Sequence, residues 1–169
     1  MPNIAKVPGP LDGVKVLDFS MFLAGPYAGR LLSDHGAEVI KIEPPGGETI
    51  RGAHPVIDGK SRYFAQLNAG KKCVVFDLKS DEGKATVRRL VAEADVVLEN
   101  FRPGVMERLG LGYEALTEIN PRLIYCAISG YGPAGPNSTR PAFAPIVHAY
   151  AGYDMAVFEY ARVVDRPLS

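Results

Sequence analysis

The run Glu99-Asn100-Phe101-Arg102-Pro103-Gly104 puts a carboxylate, an amide, an aromatic ring and a guanidinium side by side, directly after the apolar stretch that begins at Asp95. A loop that only connects rarely needs so much chemistry. Pro103 suits the first position of a helix, which would set Arg102 near free backbone N–H groups that attract anions. Arg108, one to two turns on, adds positive charge. Asn100 offers a donor and an acceptor, and Phe101 a flat apolar face. The set fits a phosphorylated, partly apolar ligand. The plainer alternative is an ordinary strand-to-helix turn with solvated arginines.

Such groups need elements to hold them. Apolar runs at 14–19, 37–43, 73–78, 95–100 and 123–129 read as five strands. A helix follows the first, with Pro26 in its first turn and Gly36 just past its end. Ser80 can cap another helix, whose first turn carries Asp81 and Glu82 at the positive end of the dipole. Val87, Leu90, Val91 and Ala94 form one face of that helix. Two short helical pieces are expected near 104–109 and 113–119. Strands alternating with helices predict a mostly parallel α/β sheet. Residues 44–72 read as a long functional connection, and residues 130–141 as a Gly/Pro-rich loop. The ending Arg-Val-Val-Asp-Arg-Pro-Leu-Ser lacks a closing helix, which is unfinished for such a sheet.

In open α/β sheets ligands bind beyond the carboxyl ends of the strands. Those ends here supply Asp18-Phe19-Ser20, Lys41-Ile42-Glu43-Pro44, Phe76-Asp77-Leu78-Lys79, the Asn100 run, and Ser129-Gly130-Tyr131.

The totals narrow the class. The chain has 169 residues, with 19 Lys+Arg balanced by 19 Asp+Glu, so nothing favours nucleic-acid binding. No apolar run is long enough to span a bilayer, and the N-terminus lacks a signal-peptide centre. A soluble, cytoplasmic protein is expected, with Cys73 and Cys126 as buried thiols. There is no P-loop; Ala24-Gly-Pro-Tyr-Ala-Gly29 is not a dinucleotide fingerprint, and no G-x-S-x-G elbow occurs. His35, His54 and His148 show no metal-ligand spacing, so no metal is expected.

Five blocks, at 11–26, 36–51, 68–79, 94–110 and 120–136, resemble in order the first part of the class III CoA-transferases, a family that includes acyl-CoA racemases. The resemblance implies a Rossmann-like large domain that binds coenzyme A. Residues 1–169 would be its N-terminal part, without the small domain and the C-terminal return segment. The CoA pocket would be lined by Leu23 and Ala24, by Phe76 and Lys79, and by Asn100, Phe101, Arg102 and Arg108. Where some members place an arginine, this chain has Pro44, and Arg51 is the substitute; Arg140 stands in for a lysine of the Gly/Pro-rich loop.

The resemblance also implies an aspartate nucleophile that forms a mixed anhydride and then an aspartyl-CoA thioester. That aspartate is expected beyond Ser169, and Asp154 and Asp165 lie in the wrong contexts. No catalytic residue is therefore assigned, and the chain alone is expected to be inactive. The implied partners are an acyl-CoA, a carboxylic acid and, for the full-length protein, a second copy in a homodimer. The alternatives are an acyl-CoA racemase or isomerase, which needs an acid/base pair that the Gly-rich loop does not show in sequence, and a non-catalytic CoA-binding module.

Overall fold

The computed structural model describes residues 8–164. Five strands form one parallel sheet in the order β5-β2-β1-β6-β7: β1 (Lys15–Asp18), β2 (Glu38–Glu43), β5 (Lys72–Val75), β6 (Val96–Glu99) and β7 (Ile124–Ala127). The chain moves outward from β1 in one direction and then in the other. The topological switch point lies between β1 and β6. The chain divides after Ile128 into two units, and the sheet belongs wholly to the first.

Alternation along the strands sends side chains to two cores. Val16, Val39 and Leu98 point to one face, where Ala28 and Leu32 of α1 (Ala24–Asp34) cover them. Leu17, Phe19, Ile42 and Val97 point to the other, under Val87 and Val91 of α3 (Asp81–Val91). Met106 of α4 (Val105–Arg108) and Leu116 of α5 (Tyr113–Thr117) complete that core. Helices thus cover both faces of the sheet. The Ser80 cap is also present, its Oγ accepting from the Gly83 N–H at 3.0 Å.

Several expectations are corrected. Residues 44–72 are not one irregular connection. They hold a 3₁₀ turn at Thr49–Gly52, a hairpin of β3 (Val56–Ile57) and β4 (Lys60–Ser61), and α2 (Arg62–Asn68). Ser61 starts α2 by accepting from the Phe64 N–H at 3.1 Å, and Leu67 anchors it in the interior. Pro103 does not open a helix. Gly104, at φ 85°, stands before the four-residue α4, which is too short to build an anion site from its dipole. Cys73 and Cys126 are exposed rather than buried. Both lie on the outermost strands, β5 and β7, beyond the reach of α1.

In the second unit, α6 (Ala144–Ala151) and α7 (Tyr153–Val164) follow the Gly/Pro-rich loop. The chain therefore continues as helix through Arg162-Val163-Val164, where no closing helix was expected. Asp154 sits exposed in the first turn of α7. Asp165 lies outside the described residues.

Candidate functional site

A cavity of about 150 Å³ opens at the carboxyl ends of the strands. Phe19 and Met21 come to it from the end of β1, and Pro44 and Pro45 from the end of β2. Phe76 and Lys79 follow β5, and Phe101 follows β6. Its walls are mainly apolar, so a ligand seated there gives up aromatic or aliphatic surface to Phe76 and Phe101.

A cation lines this cavity, and two more are neighbours in sequence of residues that line it. Among the described residues, the side chains of Lys79, Arg102 and Arg108 have no carboxylate partner. Lys79 lines the cavity itself; Arg102 follows the lining residue Phe101, and Arg108 precedes the lining residue Leu109. Both arginines are exposed. Uncommitted cations next to an apolar slot suit a ligand with a phosphorylated end and an apolar end.

Other cations at the strand ends are committed. Arg51 makes two 2.6 Å hydrogen bonds to the Glu43 carboxylate and lies 3.9 Å over the Phe64 ring. The Glu43 carboxylate thus engages the guanidinium that was expected to substitute for an arginine at position 44. Burial raises the Glu43 carboxyl, but Arg51 and the Glu48 N–H outweigh it and hold the pKa at about 2. The Glu43 partner in turn pushes the Arg51 pKa up. Lys41, counted with the groups a strand end offers, is instead fully buried, 2.7 Å from Glu48 Oε2 and donating to the Ser20 carbonyl at 2.7 Å. Lys71 is buried against Asp18 at 2.7 Å, and it also donates to the Pro26 carbonyl at 2.8 Å. Burial lowers the Lys71 pKa, opposed by the Asp18 charge.

Asn100 has a role that its sequence position does not reveal. Its Oδ1 accepts from the Met21 N–H at 2.7 Å and its Nδ2 donates to the Met21 carbonyl at 2.7 Å. The side chain thus holds the loop after β1, which carries Met21 into the cavity wall. Leu23 and Ala24 stand at the start of α1, exposed, and are not among the residues lining the cavity. Arg140 lies in the second unit and donates to the Tyr150 hydroxyl at 2.8 Å. Sequence reasoning missed Met21, Pro45 and Leu109 as lining residues, because each lies one to several residues past the strand-end groups it singled out. It also missed Glu48, whose polar surroundings in sequence give no sign of burial.

The second unit contains one further pair. His148 Nδ1 lies 3.4 Å from Asp154 Oδ1, with 45% and 63% of the two side chains exposed. The turn between α6 and α7 brings together residues that the sequence keeps six apart.

Fold and site define an α/β protein with a cavity at the carboxyl ends of its parallel sheet. The sequence profile of CoA-transferase family III matches residues 11–158, and the chain belongs to this family. It is 48% identical over 153 residues to an acetyl-CoA:oxalate CoA-transferase of Acetobacter aceti, covering 90% of this chain and 39% of that protein. It is 48% identical over 148 residues to a succinyl-CoA–D-citramalate CoA-transferase of Chloroflexus aurantiacus, covering 86% and 37%. The orthorhombic crystal structure of a Mycobacterium tuberculosis protein superposes with a TM-score of 0.82 at 48% identity, over 88% of this chain and 42% of that one. The chain thus spans about two fifths of the length of these relatives.

Proposed function

We propose that this chain carries the coenzyme A-binding part of a CoA-transferase that moves CoA between an acyl-CoA donor and a carboxylic acid acceptor. The observation that carries this reading is the cavity at the carboxyl ends of the strands, lined by Phe76, Phe101 and Lys79, with Arg102 and Arg108 each one residue along the chain from a lining residue. In this reading the cations neutralise the CoA phosphates and the two rings take the adenine or the pantetheine arm. Among the described residues, Asp77 is the one carboxylate lining the cavity. Its Oδ1 accepts from the Lys79 N–H at 2.9 Å, and its backbone carbonyl accepts from the Ser80 hydroxyl at 2.8 Å. It serves the turn into α3, so the nucleophile is not assigned to this chain.

The test is a calorimetric titration of the chain with coenzyme A, accompanied by thermal melting. A saturable heat and a raised melting temperature are expected. Arg102→Ala and Arg108→Ala should each weaken binding about tenfold, in line with the loss of one charged contact of about 1.4 kcal/mol. Binding should also weaken as salt rises, because the arginines are solvent-facing. Unchanged affinity in both variants overturns the assignment.

The His148–Asp154 pair is the observation that favours the second reading, a racemase that moves a proton at the carbon next to the thioester. Its exposure argues against it, since a base for a carbon acid works in a water-excluded site. Exchange of deuterium from D₂O into the α-position of a 2-methylacyl-CoA would support the racemase reading. Loss of that exchange in His148→Ala would assign it to the pair.

A further inference from the structure

A buried ion pair outside the cavity has bonding that points toward it. The Lys41 and Glu48 side chains are each 1% exposed and 2.7 Å apart. Burying two charges is costly, and apolar replacements of similar volume often serve stability as well or better. Stability alone therefore gives no reason for a pair at this position. The hydrogen bonds that its two members make to backbone do. Lys41 Nζ donates to the Ser20 carbonyl at 2.7 Å, and Glu48 Oε1 accepts from the Phe22 N–H at 2.6 Å.

Those contacts hold a strained stretch. Phe22 has φ 65°, in the left-handed region that a bulky side chain avoids. With Asn100 on both polar groups of Met21, and Asp18 accepting from the Ser20 N–H at 2.9 Å, side chains hold the backbone from Ser20 to Phe22. The same pair also closes the segment that follows β2. Lys41 lies before Pro44 and Pro45 and Glu48 after them, and the Glu48 N–H donates to Glu43 Oε2 at 2.9 Å. Met21, Pro44 and Pro45 all line the cavity. One ion pair thus ties together two walls that come from different strands.

We infer that Lys41 and Glu48 are positioning residues, which set the Ser20–Phe22 loop and the Pro44–Pro45 turn at the spacing that the ligand of this cavity requires. The inference rests on the reading of that ligand as coenzyme A. Lys41 and Glu48 act through Met21, Pro44 and Pro45 and touch no ligand themselves.

The experiment compares the chain with the apolar double variant Lys41→Met/Glu48→Leu and with Glu48→Gln. Three quantities are read for each: melting temperature, the dissociation constant for coenzyme A, and hydrogen exchange of the Met21 and Phe22 amides. The double variant should melt within a few degrees of the parent yet bind coenzyme A at least tenfold more weakly. The Phe22 amide should exchange at least tenfold faster, while amides in β1 and β2 keep their protection. Glu48→Gln retains an acceptor for Phe22 but loses the charge, and should fall between the two. A double variant that folds, binds with unchanged affinity and keeps Phe22 protected overturns the inference. If the double variant does not fold, Glu48→Gln decides by the same two signals. If the parent binds no coenzyme A, the functional reading fails on its own. The exchange data then decide the clamp: selective loss at Met21 and Phe22 supports it, and unchanged protection rejects it.

Discussion

Asp18 and Lys71 show at the scale of single residues how the charges near the site divide into structural and available ones. Both side chains are fully buried, and Lys71 Nζ has three acceptors from three elements: Asp18 Oδ2, the Pro26 carbonyl and Asn68 Oδ1 at 2.9 Å. Gly29 makes room for this, because a Cβ there would lie 2.7 Å from Asp18 Oδ2. Lys71→Ala leaves a buried carboxylate without its cation, and should cost about 3–5 kcal/mol in a urea denaturation experiment. By contrast, Lys79→Ala removes a cation with no carboxylate partner among the described residues, so it should change stability by less than about 0.5 kcal/mol while weakening coenzyme A binding. Denaturation and titration of the two variants separate the two kinds of charge.

Glu43 adds a pH dependence whose sign follows from its environment. Its pKa of about 2 lies below the unfolded value of about 4.3, so the folded state holds the proton less tightly. The stabilisation is fully present above about pH 5 and is lost as the pH falls toward 2. The shift alone corresponds to about 3 kcal/mol, and with 44% of the Arg51 side chain exposed, solvent screening reduces it to about 1–2 kcal/mol. Urea midpoints measured from pH 6 to pH 2 should fall less steeply in Glu43→Gln than in the parent protein.

At the scale of elements, α3 is the clearest case of local sequence building a helix that the site uses. Ser80 accepts at its first turn, Asp81 and Glu82 sit at the positive end of the dipole, and Arg88 and Arg89 at the negative end. Val87 and Val91 face the sheet with no exposed surface. The turn that enters α3 is the segment Phe76–Lys79 that lines the cavity. Ser80→Ala should therefore cost about 1 kcal/mol and also loosen that wall. Chemical denaturation measures the first effect, and faster amide exchange at Lys79 reports the second. The start of α4 shows the limit of local rules. Pro103 has the right chemistry for a helix start, but the backbone enters α4 through Gly104 at φ 85°, a conformation that proline cannot adopt. The anion-attracting feature at this strand end is therefore the pair of guanidinium groups rather than a helix dipole.

At the scale of the whole molecule, the sheet is covered unevenly. On the α1 face, Val75 of β5 is 57% exposed and Ile124 of β7 is 63% exposed. Register explains it: Val75 pairs beside Glu43, and Cys126, two residues after Ile124, pairs beside Leu98, at the two margins of the strip that α1 covers. Apolar surface on outer strands invites association. The isolated chain should therefore self-associate at tens of micromolar, and Ile124→Lys should reduce this in light scattering without lowering the melting temperature. Among the described residues no helix is long and apolar enough to cross a membrane.

The sequence by itself determined the five strands of the main sheet, the helices α1, α3, α4 and α5 beside them, the Ser80 cap, the Val87–Val91 face, and the presence of Phe76, Lys79, Phe101 and Arg102 close to strand ends. Each depends on spacing within a few residues, where hydrophobic period and capping chemistry act directly. The tertiary structure decided which polar groups remain available. Lys41 and Arg51 looked as free in sequence as Lys79, but partners at Glu48 and Glu43 consume them. Asn100, expected as a ligand contact, also grips the backbone of Met21, 79 residues away. Cys73 and Cys126 lie in apolar runs, but the strand order places those runs at the margins of the sheet. These outcomes depend on register, strand order and burial of distant partners, none of which local spacing encodes.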